Sequence, residues 1–597
     1  MTPPPTPRIP ERNEPCPCES GRKFKACCGP ATSTRLDAEV HRLSAAGVEA
    51  ESRRDLATAR QRFLTAAALQ PLNPRVRYML GTTELSLQRF AEAVIHLDLA
   101  VRGEPIAEAH YNLGLALKGT GQIEAAALQF RAAHLLKPNW QPAQINYGFA
   151  LLDLGFAAAA VDIMRKSIEA GGSVSPLNFS NLLLTAQYLP DFSVEEMVEL
   201  HRAFGRALQA ACTPLPERRP DPALKRLRVG LVSGDLRTHP VGLLIADVVP
   251  TLSQQNLDLV AFSSAHSADP ADPVRARLKA SIPEWYDVDA LDDASIAAGI
   301  RNASIDVLVD LTGHTGYSRL GVFAFRPAPV QVTWLGYGAT TGLDRIDYIL
   351  TDAVSTPPED EAQYTERVWR LPLPRLPFSA PPEAPEPASP PWLASGALTF
   401  GCFNNLAKLN PLVVGAWARI LHAVPDSTLL LKGRYFDQPS ARRALLDGFG
   451  SFGVDAVRVR FEGSQARTEY YGAFSQVDIA LDPFPFTGGM STLDALWMGV
   501  PVVSKRGDRM IGRQGEMILQ AIGLEDWLAD NVEGYVATAI TKASDRNALA
   551  HLRATLRARV AATEFAQPAV YGSRLGEALW SLWHDAIKRT QAASTTE

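Results

Sequence analysis

Glycine and proline recur at a fixed step through the front of this chain. Gly47, Gly81, Gly114 and Gly148 are spaced by 34, 33 and 34 residues, and Pro71, Pro105 and Pro138 keep the same rhythm. Between them run helical patterns such as Ala107 to Leu117, followed by a second helix from Ile123 through Leu136. A small residue at the glycine position lets two helices approach closely, and the proline stops the second helix and starts the turn. Residues 39–173 therefore read as four helical pairs, the first weakly marked. Such a unit cannot bury its apolar face alone, so the pairs must pack on one another. Residues 174–211 continue as adaptor helices, and 212–226 read as a linker.

The whole chain has 597 residues, enough for about four domains. Apolar residues are 46% and charged residues 21%, a globular balance. The net charge of -5 lacks the basic footprint of a nucleic-acid binder. No apolar run is long enough to span a bilayer, and the proline-rich Met1 to Pro10 lacks the apolar centre of a signal peptide. The expectation is a cytoplasmic protein with no membrane insertion and no nucleic-acid partner.

Four of the six cysteines, Cys16, Cys18, Cys27 and Cys28, fall within a short segment, while Cys212 and Cys402 stand far apart. Four close thiolates can surround one tetrahedral zinc ion. With all four positions taken by protein, such a zinc is structural, not hydrolytic. The pattern Cys-x-Cys, Ser20-Gly21 and Cys27-Cys28-Gly29 in residues 13–30 resembles the SEC-C family of small zinc motifs.

Behind the linker the pattern changes to apolar strands separated by helices, the signature of parallel sheets covered on both faces. In the first set, 227–390, strands fit Leu227 to Ser233, Leu257 to Ser263, Ile305 to Leu311, Val330 to Trp334 and Tyr348 to Thr351. Residues 372–394 hold nine prolines and read as a connection. In the second set, 396–585, strands fit Leu398 to Cys402, Thr428 to Leu431, Val457 to Phe461, Val477 to Leu481 and Val500 to Val503. Two Rossmann-like lobes place a cleft at the carboxyl ends of their strands.

The segment Asp482-Pro483-Phe484-Pro485-Phe486-Thr487-Gly488-Gly489-Met490-Ser491-Thr492-Leu493-Asp494 lies between a strand and a helix. Gly488 and Gly489 can turn backbone N–H groups toward an anion, and a helix beginning at Ser491 adds free donors and a favourable dipole. Ser491 and Thr492 add hydroxyls. The same residues also fit a capping box, in which Asp494 would cap its own helix. The segment has neither a Walker pattern nor a Gly-x-Gly-x-x-Gly fingerprint, which lowers the ATPase and dehydrogenase readings.

The helical repeat resembles the tetratricopeptide family, which implies a curved all-α solenoid with a concave binding surface. Joined to the two lobes, the chain resembles the O-linked N-acetylglucosamine transferases and the related SPINDLY enzymes. The matching segments include Ser233-Gly234-Asp235, His239-Pro240, Asp306 to Thr315, Arg326 to Tyr337, Asp347 to Asp352, Phe403-Asn404-Asn405 with Lys408, and Asp494 to Val503. The resemblance implies a GT-B fold and an inverting transfer of sugar from a nucleotide-sugar donor, such as UDP-N-acetylglucosamine, to Ser or Thr hydroxyls of a client protein. It implies no catalytic metal. It places His239 near the donor sugar and acceptor, and Lys408 at the donor diphosphate. It makes Asn405, Gly488, Gly489, Met490, Ser491, Thr492 and Asp494 donor-binding residues, with Arg467 and Tyr470 on the nucleobase side. Thr312, Gly313 and His314 fall on the acceptor side or orient it.

The chain departs from the family at three places. Met490 stands where bacterial relatives carry the first of three threonines, Arg467 where the human enzyme has lysine, and Tyr470 where it has histidine. These leave the sugar and base open, including a flagellin-modifying enzyme using a nonulosonic acid carried on cytidine monophosphate. The contrasting reading is a noncatalytic scaffold, against which the presence of both His239 and Lys408 weighs.

Overall fold

The computed structural model describes residues 13–16, 18, 22–26, 29–170, 176–265, 269 and 271–596. The chain divides into two compact units, residues 1–150 and 151–597.

In the first unit the helices pair as the glycine period predicts: α1 (Gly29–Ser52) with α2 (Leu56–Leu69), α3 (Pro74–Ser86) with α4 (Phe90–Gly103), and α5 (Ala107–Gly119) with α6 (Ile123–Leu136). The first helix of the next pair, α7 (Gln141–Asp153), begins here. A Cβ on Gly47 would lie 2.4 Å from Phe63, on Gly81 2.6 Å from Leu97, and on Gly114 2.6 Å from Phe130. Only glycine admits those side chains at that distance. Pro71, Pro105 and Pro138 follow the ends of α2, α4 and α6. Neighbouring repeats are also joined by polar contacts one period apart: the Asn112 amide donates to the Tyr78 and Thr82 hydroxyls (3.4 and 3.2 Å), and Asn146 donates to Tyr111 (3.2 Å).

Of the cysteine cluster, Cys27 and Cys28 lie outside the described residues. The Cys18 thiol donates to the buried Cys16 sulfur at 3.3 Å. That spacing is near the ~3.8 Å edge of a tetrahedron with Zn–S bonds of about 2.3 Å, so the two thiols fit neighbouring ligand positions. Among the described residues no group of three or more metal-binding side chains forms. Nor is any helix among them long and apolar enough to cross a membrane.

The second unit carries α8 (Ala157–Ala170), α9 (Pro176–Ala186), α10 (Val194–Ala210) and two parallel sheets. The first sheet runs in the order β3-β2-β1-β4-β5-β6-β7, with β1 Leu227–Ser233, β2 Leu257–Ser263, β3 Glu284–Asp287, β4 Val307–Asp310, β5 Val330–Thr333, β6 Tyr348–Asp352 and β7 Arg367–Leu371. The second runs β10-β9-β8-β11-β12-β13, with β8 Thr399–Cys402, β9 Thr428–Lys432, β10 Val459–Glu462, β11 Ile479–Leu481, β12 Val502–Lys505 and β13 Leu528–Ala529. All ten expected strands form. The sequence reading lacks β3, β7 and β13. β3 and β7 border their sheet on one side only and are partly exposed, so their apolar runs are broken by charge; β13 is two residues long.

The adaptor helices are part of the first lobe's core. Phe179, Leu183, Phe204 and Leu208 pack in one cluster with Val232, Phe262, Ile300 and Leu308. A second departure from the expected boundaries is at the end of the chain. The helix Pro568–Thr596 leaves the second lobe and covers the first sheet. Its Leu575 and Leu579 face Val229, Leu231 and Leu350, the Trp580 indole donates to the Gln255 carbonyl (2.9 Å), and Asp585 accepts from the Tyr348 hydroxyl (2.6 Å). Its apolar face reads equally well against either lobe, so periodicity alone cannot choose.

Candidate active site

In each sheet the strand order reverses direction at one crevice, between β1 and β4 in the first and between β8 and β11 in the second. Ligands of open parallel sheets bind at such switch points, beyond the carboxyl ends of the strands. Most of the residues singled out from sequence lie on these four loops: His239 after β1, Thr312 and Gly313 after β4, Lys408 after β8, and the glycine turn after β11; Arg467 and Tyr470 follow β10.

Each crevice is tied across by hydrogen bonds. In the first lobe the Ser233 and Thr312 hydroxyls meet at 3.0 Å. The buried Asp310 carboxylate accepts from the N–H groups of Thr312 and Gly313, all at 3.0 Å, and from the Thr333 hydroxyl at 2.8 Å. Gly313 has φ +57, and a Cβ there would sit 2.4 Å from Tyr337. The turn is thus fixed by glycine's freedom and by one buried acid that the sequence reading did not single out.

His239 caps the short helix Pro240–Ile245. Its Nδ1 accepts from the Val241 N–H at 3.4 Å and lies 3.4 Å from Asp235 Oδ1. The imidazole remains 34% exposed, and its Nε2 has no protein partner among the described residues. Burial and the nearby Arg237 lower its pKa to about 4, so the ring is neutral at physiological pH. Burial pushes Asp235 up to about 7, opposed by Arg237 and reinforced by Asp310. Its Oδ2 is buried without a hydrogen-bond partner. His314 does not reach the crevice. It is fully buried, its Nδ1 2.9 Å from the Ser180 hydroxyl and its Nε2 3.0 Å from the Thr341 carbonyl, with Phe204, Tyr337 and His201 packed around the ring. It orients the post-β4 turn against the adaptor helices.

In the second lobe Lys408 is 8% exposed and ends a short 3-10 turn. Its ammonium donates to Asn404 Oδ1 and to the Thr487 carbonyl, both at 2.9 Å, and lies 4.2 Å from the Phe486 ring centre. Ser491 donates to the same Asn404 oxygen at 2.9 Å. One knot therefore joins the post-β8 loop to the glycine turn, with a single cation at its centre. Burial takes the Lys408 pKa down to about 8, against the pull of Asp482. The sequence reading gave the neighbouring Asn405 a donor-orienting role. Asn405 lies at the surface of the same loop, its Oδ1 accepting from the Ala407 N–H at 3.0 Å, while Asn404 stands on the lysine.

The helix after the turn begins at Met490, one residue earlier than expected, and has no side-chain cap. Its first-turn N–H groups stay available, as an anion site requires. The capping box does not form. The Asp494 carboxylate accepts from the Tyr470 and Tyr471 hydroxyls at 3.1 and 3.2 Å, and burial raises its pKa to about 6. Arg467 donates to the Tyr471 hydroxyl (3.0 Å), so Arg467, Tyr470 and Asp494 share one cluster. Gly488 and Gly489 are held from beneath by Asp482, which accepts from the Gly488 N–H, from Thr492 Oγ1 (3.0 Å) and from the Ser504 hydroxyl (2.9 Å). A Cβ on Gly488 would meet Thr492 Oγ1 at 2.3 Å and Asp482 at 2.7 Å. Thr492 and the Gly488 N–H are consequently engaged inward, which leaves the backbone N–H groups of Met490 and Ser491 and the third N–H of Lys408 as donors toward the crevice. Asp482 and Asn404 are the site residues missed from sequence; an acid closing a strand just before a Gly-Gly turn was the available signal.

Two stretches of the chain, residues 214–374 and 391–575, match the family model described as glycosyl transferase family 41. The chain belongs to glycosyl transferase family 41. Residues 12–30 match the SEC-C motif and residues 107–139 the tetratricopeptide repeat. Among relatives, the probable UDP-N-acetylglucosamine--peptide N-acetylglucosaminyltransferase SPINDLY of Solanum lycopersicum is 35% identical over 413 residues, which are 68% of this chain and 44% of that protein. The SPINDLY protein of Arabidopsis thaliana is 35% identical over 414 residues, 68% of this chain and 45% of that one. The chain thus matches less than half the length of these relatives. Among solved structures, a mutant O-GlcNAc transferase of Thermobaculum terrenum superposes with a TM-score of 0.72 at 30% identity, covering 93% of this chain and 99% of that one. The two lobes of this family-41 chain are those of a GT-B fold, preceded by a helical repeat region.

Proposed function

We propose that this family-41 chain is an inverting protein O-glycosyltransferase that moves N-acetylglucosamine from a uridine diphosphate donor to Ser or Thr hydroxyls of a client protein held by the repeat arm. The observation that carries the reading is the Lys408 knot. A buried ammonium and the uncapped start of the helix Met490–Trp497 face one crevice, where they would meet the donor's diphosphate. Their positive charge stabilises the leaving group as the bond to the anomeric carbon breaks. The client hydroxyl attacks the opposite side of that carbon, which inverts its configuration, and its proton passes to a base. A neutral His239 with an open Nε2 can accept a hydrogen bond from that hydroxyl and orient it. With a pKa near 4 it is a weak base, so positioning is its main contribution. Asp494, fixed by two tyrosines, shapes the nucleotide side of the pocket.

The arm supplies the client by tethering it, which raises its effective concentration at the transferase. Cys16, Cys18, Cys27 and Cys28 would hold one structural zinc, outside the chemistry. The test is a donor screen with uridine, guanosine and cytidine sugar nucleotides, read by intact mass of co-expressed proteins, flagellin among them. A mass increase with UDP-N-acetylglucosamine alone supports the reading. Transfer only from a cytidine donor overturns the donor assignment, and neither transfer nor nucleotide binding overturns the enzyme.

A further inference from the structure

A second charged cavity lies at the other edge of the first sheet. It measures about 520 Å³ and is lined by Arg218, Arg219, Arg326, Arg367 and Arg589, with Glu217 and Asp347. Arg326 precedes β5, Asp347 precedes β6 and Arg367 opens β7, so the cavity sits at the amino ends of these strands. The loops bearing His239 and Thr312 leave from the carboxyl ends. The two sites are therefore on opposite edges of one sheet.

The charge is concentrated against the trend of the molecule, whose net charge is -5. Five guanidinium groups face two carboxylates, and Asp306 balances one more by pairing with Arg218 at 2.5 Å. Asp585, one turn before Arg589, is turned to the Tyr348 hydroxyl. Fold maintenance accounts for Arg218 and Arg326. Arg218 donates to the Ile305 carbonyl (2.8 Å), and Arg326 to the carbonyls of Arg345 (2.8 Å) and Pro329 (3.2 Å) and to Asp347 (2.9 Å). It does not account for Arg367, whose exposed side chain makes no hydrogen bond or ion pair among the described residues. Arg589 is held by the Tyr348 hydroxyl at 3.2 Å and lies 4.0 Å from Asp347.

Arg218 and Arg326 are fixed in this way and lose little freedom on binding, Arg367 keeps its donors unspent, and the planar forks match phosphate oxygens. The volume falls in the ~300–1,000 Å³ range of small-molecule sites. A nucleic acid would call for an extended basic track instead of one pit. We propose that this cavity is a second anion site, which binds a compact phosphate compound carrying two or more negative charges.

The test is calorimetry of the full chain with inorganic pyrophosphate. The donor crevice also suits a diphosphate, so the titration is run on Lys408→Ala, which weakens that crevice and leaves the second cavity intact. Retained binding is expected. Adding Arg367→Ala and Arg589→Ala should weaken it at least ~10-fold, while Arg367→Lys with Arg589→Lys should keep most of it. Both side chains lie outside the core, and an unchanged melting temperature separates lost binding from lost fold. No pyrophosphate binding in Lys408→Ala, or binding indifferent to the two alanines, would overturn the proposal. So would an oligonucleotide that binds this cavity where pyrophosphate does not.

Discussion

The pH dependence of transfer should be set by Lys408. Burial lowers its pKa from 10.5 to about 8. At about 1.36 kcal/mol per pK unit, holding this ammonium in the folded chain costs on the order of 3 kcal/mol relative to water. The sign follows from proton binding. The unfolded chain holds the proton more tightly, so the cost is fully present below about pH 8 and is relieved between about 8 and 10.5. Activity runs the other way, because only the charged form stabilises the leaving diphosphate. About nine-tenths of the free enzyme carries the charge at pH 7, half at about pH 8 and roughly one-tenth at pH 9. Initial rates at subsaturating donor, read by product mass, report the free enzyme. Their kcat/KM should therefore fall about tenfold for each pH unit above 8. Lys408→Arg, charged beyond pH 12, should abolish this limb while lowering the plateau, because its planar fork cannot reproduce a point contact to Asn404 and Thr487. Lys408→Ala should cost ~10²–10³ in kcat. A profile flat to pH 10, or a limb that survives in Lys408→Arg, would refute the assignment.

Asp235→Asn should flatten the stability profile on the acid side. Its raised pKa makes Asp235 a stabilising group below about pH 4, and that contribution is lost as pH rises through about 7, which melting temperatures across pH will show. Gly114→Val should destabilise the repeat arm by about 1–3 kcal/mol, because its Cβ collides with Phe130; calorimetry should show the arm's transition several degrees lower. Replacing Tyr470 and Tyr471 together by phenylalanine leaves the buried Asp494 without donors, at a cost of about 1–3 kcal/mol per lost bond, and should raise donor KM more than it lowers kcat. Unchanged KM with a lowered melting temperature would assign these tyrosines to the fold alone. Metal analysis of the Cys16→Ser, Cys18→Ser variant should show about one zinc per chain lost.

Much of this architecture is written locally. A glycine every turn of the repeat states that a helix must pass within a side chain's width of another, and the collisions at Gly47, Gly81 and Gly114 follow from that single requirement. Likewise the buried strands read as unbroken apolar runs because both faces are covered. The edge strands β3 and β7 escaped notice because exposure removes that signal. At the site, His239, Lys408 and the turn from Gly488 were legible through residue type and resemblance. Their partners were not. Choosing Asn404 over Asn405 depends on which of two adjacent side chains faces Lys408, and choosing tyrosine hydroxyls over a helix cap for Asp494 depends on packing from residues 23 and 24 positions away.

The sequence by itself determined that a period of 33–34 residues builds a helical arm and that alternating apolar strands and helices build two parallel lobes. Those are short-range facts, set by backbone sterics and by which faces are apolar. The tertiary structure decided that the last helix returns to the first lobe, that Asp310 and Asp482 hold the two turns from beneath, and that five arginines from distant segments share one cavity. Those depend on which strands become neighbours. Strand order is a property of the whole sheet, and it brings together side chains that no local pattern connects.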